Sequence, residues 1–344
     1  MSNLRAVSVI IPLYNAEKYI GECLESLLNQ TFQNFEVIVV DDCSADSSCA
    51  IVESYIPKFG GRLKLFGTEK NSGSGAIPRN KGLLAATGEY VFNMDNDDLL
   101  TLTALEEMYA LAKDFDADVV YTERYARVRS DLSEFCIYSE QKGDLVDRAT
   151  FVTTDLEKRL LEILNERFWV TPWSKFVRRK LLLENEIFFP PCRIADDDIW
   201  TYELIFCAEK FLRVPNVVYI WRQSEESLSH RSKDPLEELK FWLSPLVYGF
   251  KPLDEFMGRI EFFRQNPHHR LVILDHLANG RCFAQIENCC LQVFPDDVHE
   301  TIKQTFAEDF GEQNVLFAYL CTLINDQRKN LQLQNLQIRK LKNM

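Results

Sequence analysis

The chain has 344 residues, 46% hydrophobic and 26% charged, an ordinary globular composition with enough apolar side chain for a large core. Its net charge of -13 argues against sequence-independent nucleic-acid binding, which relies on many Lys and Arg contacts to phosphate. An acidic protein still binds a phosphorylated small molecule when a metal ion neutralises the charge locally. The 10 cysteines include no CxxC pair, which argues against a zinc ribbon or finger. The opening MSNLRAVSVIIPLYN lacks the length and cleavage pattern of a signal peptide. No window approaches the ~18 uninterrupted apolar residues of a membrane span. Free thiols without a signal peptide lead to the expectation of a cytoplasmic protein.

In chain order, residues 7–11 form a short β-branched apolar run bounded by Pro12, the pattern of a buried parallel strand. Residues 16–30 show helical spacing, with Tyr19, Ile20, Cys23, Leu24, Leu27 and Leu28 on one face. A second buried strand spans 35–40 and ends at Asp41-Asp42, with Ser44 and Asp46 as helix caps for a segment reaching about residue 55. A third strand is expected over 63–66, a Gly/Ser loop over 71–75, and a helix over 78–87 that ends at Gly88. A fourth strand over 90–94 stops at Asp95-Asn96-Asp97-Asp98, followed by a helix over 103–115 and a strand over 118–121. The alternation implies a mostly parallel sheet with helices on both faces, which binds ligands at the carboxyl ends of its strands.

Beyond this the pattern is less regular. Residues 131–164 leave room for a strand or two, followed by a helix of acidic and basic residues over 156–166. Residues 168–189 are rich in aromatic and basic side chains, 199–211 have helical spacing, and 217–221 read as a strand. From about residue 232 the pattern is mainly helical, broken by prolines. Ile324, Leu331 and Ile338 recur every seven residues, the signature either of a short coiled-coil tail or of a solvated helix on its own domain.

Three polar clusters meet at the predicted carboxyl rim. Asp95-Asn96-Asp97-Asp98 places three carboxylates in four residues, a hard-oxygen site suited to Mg²⁺ or Mn²⁺ if a cation sits among them. An acidic turn with a helix cap is the alternative for that tetrapeptide alone. Asp41-Asp42 offers an acceptor for a base or ribose, or a strand-end turn. Tyr14, after Pro12, offers a face for stacking on a base. The loop Asn71-Ser72-Gly73-Ser74-Gly75 matches neither the Walker pattern nor the dinucleotide fingerprint, and Arg79 beyond it suits a phosphate or a pocket wall. Asp196-Asp197-Asp198 opens a helix, either as favourable charge at its N-terminus or as a general base for an acceptor hydroxyl. Arg222 suits a diphosphate, an acceptor or plain solvent.

Taken together, VSVIIPLYNAEKYIGECLESLLNQTFQNFEVIVVDDCSADSS, NSGSGAIPRNKGLLAATGEYVFNMDNDDLL, TPWSKFVRRKLLLENEIFFPP, IADDDIWTYEL and YIWRQSEESLS resemble the family 2 glycosyltransferases of the GT-A fold. The resemblance covers roughly residues 6–230. It implies a Rossmann-like α/β domain over about 1–230, with a nucleotide-sugar half to about 125, an acceptor half over about 126–230, and a mainly helical region over 231–344. At matching positions it implies a nucleotide-sugar pocket of Pro12, Tyr14, Asp42, Asn71, Arg79, Asp95 and Asn96. Asp97 would be the main ligand of Mn²⁺ or Mg²⁺, with Asp95 on ribose or on the metal through water. Asp197 would be the catalytic base, with Asp196 and Arg222 near the acceptor or diphosphate. The family usually has Glu where Asp196 stands, and smaller residues where Ala76-Ile77-Pro78 precede Arg79.

The implied activity is metal-dependent transfer of a sugar from a nucleotide-sugar, usually a UDP-sugar, with inversion. The absence of a QxxRW pattern favours one sugar per encounter. The implied acceptor is a cell-surface polysaccharide or lipid-linked oligosaccharide, with a protein acceptor as the other option. Phe241, Trp242 and Lys251 fit either peripheral contact with the inner face of a membrane or ordinary helix packing. Homo-oligomerisation through the C-terminal helices is a further expectation. The rivals are a nucleotidyltransferase, which needs a GxGxR-type loop where Pro-Leu-Tyr-Asn stands, and a non-catalytic binding or scaffold protein that retains the fold.

Overall fold

The structure, a computed structural model, describes residues 5–223 and 235–283. The heptad stretch at 323–341 therefore lies outside the described residues. The elements run β1 (Val7–Leu13), α1 (Ile20–Leu28), β2 (Phe35–Asp41), α2 (Ser48–Tyr55), β3 (Leu63–Gly67), α3 (Ala76–Ala85), β4 (Tyr90–Asn93), β5 (Leu99–Leu100) and α4 (Ala104–Asp114). They continue with β6 (Val119–Thr122), β7 (Tyr125–Arg129), β8 (Cys136–Tyr138), β9 (Thr150–Phe151), α5 (Leu156–Leu164), β10 (Lys175–Arg178), α6 (Arg179–Glu184), α7 (Asp196–Cys207), β11 (Phe211–Val214) and β12 (Tyr219–Gln223). After the undescribed segment come α8 (Pro235–Ser244), α9 (Phe250–Arg259), α10 (Glu261–Gln265), α11 (Pro267–Leu277) and a final π-helical turn, Ala278–Phe283.

Among the described residues, eight strands form one sheet in the order β3-β2-β1-β4-β10-β6-β11-β9. The strands β3, β2, β1 and β4 are parallel, whereas β10 runs antiparallel between β4 and β6. A smaller sheet, β5-β12-β7-β8, lies beside it. The mixed α/β architecture with a large, mostly parallel sheet agrees with the sequence expectation. The insertion of β10 was not foreseen, because an antiparallel strand drawn from residues 175–178 pairs across a long sequence gap that local pattern does not register.

Both faces of the sheet are buried, which explains the continuous apolar runs. Val9, Ile11, Val37 and Val39 face one core, filled by Cys23, Leu24 and Leu27 of α1 and Leu105 and Met108 of α4. Ile10, Ile38 and Val40 face the other, with Leu83 of α3, Ile199 and Trp200 of α7, and Leu253, Met257, Ile273 and Leu277 of the C-terminal helices. The close approach of α3 depends on Gly82, where an added Cβ would lie 2.4 Å from Cγ2 of Ile10. α7 is buried on nearly all sides, so its first turn is held rigidly.

Several boundaries differ from expectation. β1 continues through Pro12 to Leu13, paired with β2 up to Asp41, and the Asp42 N–H closes the pairing by donating to the Leu13 carbonyl at 2.8 Å. α1 begins at Ile20, since residues 15–17 are tied instead to the loop that leads into α2 and to its first residue. There the Ala16 N–H donates to Ser48 Oγ at 2.7 Å and the Glu17 N–H to Asp46 Oδ2 at 3.0 Å. Among the described residues, no helix is long and apolar enough to cross a membrane.

Candidate functional site

The carboxyl rim of the sheet is organised by hydrogen bonds that most of the sequence-predicted residues make with one another. Asp42, at the end of β2, is buried and accepts from Thr68 Oγ1 at 2.8 Å, from the Ser72 N–H at 2.8 Å and from Ser72 Oγ at 2.9 Å. Asn71 donates to the Asp42 carbonyl at 2.9 Å and accepts from the Gly73 N–H at 3.0 Å. These two residues therefore fold the Gly/Ser loop. Tyr14 is 40% exposed at the end of β1, a free ring face at the rim. Pro12 lies inside the strand, and its carbonyl accepts from Asn96 Nδ2 at 2.8 Å. Both Pro12 and Asn96 thus fix the acidic loop to the sheet through a bond that the sequence reading did not anticipate.

Within the acidic tetrapeptide the carboxylates have different tasks. Asp98 is 1% exposed and accepts from Tyr219 Oη and from the Arg222 N–H, both at 2.7 Å. Tyr219 Oη also accepts from the Asp95 N–H at 3.0 Å. Its ring stacks on Trp173 with centroids 4.4 Å apart. Asp98 is therefore the anchor that joins the loop to β12. Tyr219→Phe is expected to keep the ring stack but lower stability by about 1–3 kcal/mol, because the buried Asp98 loses a donor. Urea unfolding measures this as a lower midpoint at unchanged slope, and an unchanged midpoint would contradict the anchor role.

Burial, followed by the neighbouring Asp95 charge, pushes the Asp97 carboxyl up to about 6. Such a group gains from a cation. Among the described residues, no three or more His, Cys, Asp or Glu side chains gather into a ready cage. Two carboxylates do suit a Mg²⁺-like ion completed by diphosphate oxygens and water.

Arg79 is the junction of the site. Its Nη2 donates to Asp95 Oδ1 at 2.7 Å, and Nη1 lies 3.8 Å from Asp196 Oδ2. The guanidinium also lies over Phe189, 5.5 Å from the ring centroid. Gly75 permits this pose, since a Cβ there would fall 2.2 Å from Arg79 Nη1. Arg79 thus pairs with carboxylates, where the sequence offered either a phosphate or a place in the pocket wall.

Asp196, Asp197 and Asp198 form the first turn of α7, after Ala195 in the left-handed region at φ 60°. A non-glycine residue there stores strain that the packed helix sustains. Asp197 Oδ1 accepts from the Asp198 N–H at 3.0 Å. Burial, followed by the Asp198 and Asp196 charges, pushes Asp197 well above the usual carboxylate range. The preceding segment is held by Lys175, whose Nζ donates to the Trp169 and Thr171 carbonyls at 2.6 and 2.9 Å. Thr201 of α7 donates to the Val170 carbonyl at 2.8 Å. Arg222 is buried, bonded to Glu22 of α1 and set over the Tyr19 ring.

Residues 8–144 match the family described as Glycosyl transferase family 2. EpsH of Bacillus subtilis, described as a putative glycosyltransferase, is 33% identical over 312 residues, covering 86% of each chain. The chain belongs to glycosyl transferase family 2.

The glycosyltransferase GlyG of Streptococcus pneumoniae is 30% identical over 237 residues, covering 66% of this chain and 74% of GlyG. TarS of Staphylococcus aureus, a poly(ribitol-phosphate) beta-N-acetylglucosaminyltransferase, is 34% identical over 224 residues, but this chain spans only 36% of its length. The crystal structure of TarS 1-349 with UDP-GlcNAc superposes with a TM-score of 0.65 at 23% identity, over 93% of this chain and 89% of that one. That likeness shows the GT-A fold. The protein is a glycosyltransferase, which sets aside the nucleotidyltransferase reading.

Tyr219, Glu22, Phe189 and Lys175 were missed as site-building residues. Their only sequence signal was aromatic or charged character within predicted elements. Asp196 carries a testable pH signature. Burial, partly offset by Arg79, pushes it up to about 6, above the ordinary ~3.9 of an unfolded chain. The folded state therefore holds this proton more tightly, and the group's contribution to stability falls as pH rises from ~4 through ~6. The melting temperature of the wild type relative to Asp196→Asn should decline across that window. A flat difference would contradict the shift.

Proposed function

We propose that the protein transfers a single sugar from a UDP-sugar to a hydroxyl of a cell-surface polysaccharide or oligosaccharide, with inversion. The observation that carries this reading is the Arg79 junction, which ties the strand-end carboxylate Asp95 to the acidic start of α7. Donor-side and acceptor-side groups thus meet around one guanidinium. In this reading residues 1–125 form the donor half, 126–230 the acceptor half, and the following helices complete the acceptor side.

Tyr14 stacks on the base, and the loop shaped by Asp42 and Asn71 surrounds the nucleotide. Asp97, with Asp95 beside it, would hold Mn²⁺ or Mg²⁺, which supplies neutralisation of the departing diphosphate. Asp197 takes the proton of the acceptor hydroxyl. The hydroxyl oxygen attacks the anomeric carbon from the face opposite UDP, and the bond to the diphosphate breaks with its electron pair. The raised proton affinity of Asp197 makes it a stronger base than an ordinary carboxylate. UDP-GlcNAc, the donor bound by TarS, is the first candidate. With the donor made in the cytoplasm, the enzyme works there or at the inner face of the membrane.

Incubation with UDP-GlcNAc, UDP-glucose and UDP-galactose in Mn²⁺ tests the proposal, with UDP release as the signal. Release from one donor, absent in Asp97→Ala, is the expected result. Silence toward every donor, with or without bacterial cell-surface polymer, would count against it.

A further inference from the structure

The C-terminal helices return to the acidic turn of α7. In the final turn, Ala278–Phe283, Arg281 Nε donates to Asp198 Oδ1 at 2.8 Å. Asp198 is only 3% exposed, so its charge at that place requires a partner. On the other flank Arg79 reaches Asp196 at 3.8 Å. The two outer carboxylates of the run are thus each matched by an arginine. Among the described residues Asp197 has no ion pair, and its Oδ1 accepts from a backbone N–H alone.

We infer that Arg281 is a positioning residue for the acceptor base: by holding Asp198 it leaves Asp197, between two arginine-matched carboxylates, as the member of the run placed to take the acceptor's proton. The C-terminal helices thereby become part of the acceptor site. This rests on Asp197 being the base, as proposed above.

The groups that bear on Asp197 come from several elements. Asp196, Asp198 and Tyr202 lie on its own helix, Arg79 on α3, Lys175 on β10 and Arg281 on the final turn. His276 of α11 and Glu166 bear on the Arg281–Asp198 pair. Burial and the two flanking carboxylates raise the proton affinity of Asp197, while Arg281 and Arg79 lower it. Loss of Arg281 therefore keeps Asp197 protonated to higher pH.

The test uses the full chain as wild type, Arg281→Gln, Arg281→Lys and the double variant Asp198→Asn/Arg281→Gln. The Asp197 carboxyl carbon is titrated by NMR in ¹³C-aspartate-labelled protein, its signal assigned with Asp197→Asn. UDP release from UDP-GlcNAc in Mn²⁺, with water as acceptor, and UDP affinity are measured alongside. In Arg281→Gln the Asp197 midpoint should rise by about one pH unit. The acidic limb of UDP release should follow, lowering kcat about tenfold on that limb, with KM for the donor and UDP affinity unchanged. Arg281→Lys should restore most of the shift. The double variant should return near the wild type, because it removes both charges of the pair. An Asp197 midpoint unmoved in Arg281→Gln overturns the inference. So does loss of UDP affinity in the Gln and Lys variants alike, which marks a purely structural role. The two readings fail separately: full activity in Asp197→Asn sinks the base assignment, and an unmoved midpoint sinks this one.

Discussion

Asp197→Asn is expected to lower sugar transfer by about 100- to 10,000-fold while leaving UDP affinity intact. The amide is close to isosteric, and its oxygen still accepts from the Asp198 N–H that holds the acidic turn. It has no basic oxygen to take a proton from the acceptor. Folding should not suffer. Asp197 is pressed between two like charges, Asp196 and Asp198, and its burial disfavours ionisation. Removal of one charge from that run should raise the melting temperature at pH 7. A more stable protein that binds UDP normally and transfers almost nothing separates lost chemistry from lost structure. Wild-type turnover, or loss of UDP binding, would contradict the assignment.

Arg79→Leu is expected to have the largest effect on stability, a loss of roughly 3–5 kcal/mol at pH 7.5. Leucine fills part of the space over Phe189, so the cost is mainly electrostatic. Asp95 loses its 2.7 Å partner, and Asp196 keeps a buried oxygen with no counter-charge. The loss should shrink at pH 5. Asp196 is already pushed up to about 6 with Arg79 present, and its removal pushes that carboxyl further, so the group takes a proton and the unpaired charge disappears. Denaturant unfolding at the two pH values measures both effects. A loss below about 1 kcal/mol at pH 7.5 would mean that solvent, rather than Arg79, balances these acids.

The first half of the fold was legible because the parallel strands β1, β2 and β4 are short apolar runs, β-branched in β1 and β2, buried on both faces and closed by polar residues. The second half was not. β10 carries Lys175 and Arg178 in a strand of four residues, and its partners β4 and β6 lie more than fifty positions earlier. The clusters were legible as places in the fold, since Asp42 follows β2 and Asp95–Asp98 follow β4 as read, and Asp196–Asp198 open a helix as read. Their individual tasks were not. Adjacent aspartates look alike in sequence, yet Asp98 is held by Tyr219 and the Arg222 backbone, Asp95 through one oxygen by Arg79, and Asp198 by Arg281. Those partners come from three separate elements, β12, α3 and the final turn, so only tertiary packing distinguishes the carboxylates. Arg281 carried no signal of a role, because the region from about residue 232 was read only as mainly helical, outside the stretches that carry the family resemblance.

The most direct test of the central claim is calorimetric titration of the purified protein with UDP, in Mn²⁺ and then in EDTA, beside Asp97→Ala. The account predicts binding in Mn²⁺, at least tenfold weaker binding in EDTA, and the same weakening in Asp97→Ala with Mn²⁺ present. UDP affinity that is equal in Mn²⁺, in EDTA and in the variant would remove the metal from the site. Failure of UDP to bind under any of these conditions would contradict the nucleotide-sugar reading itself.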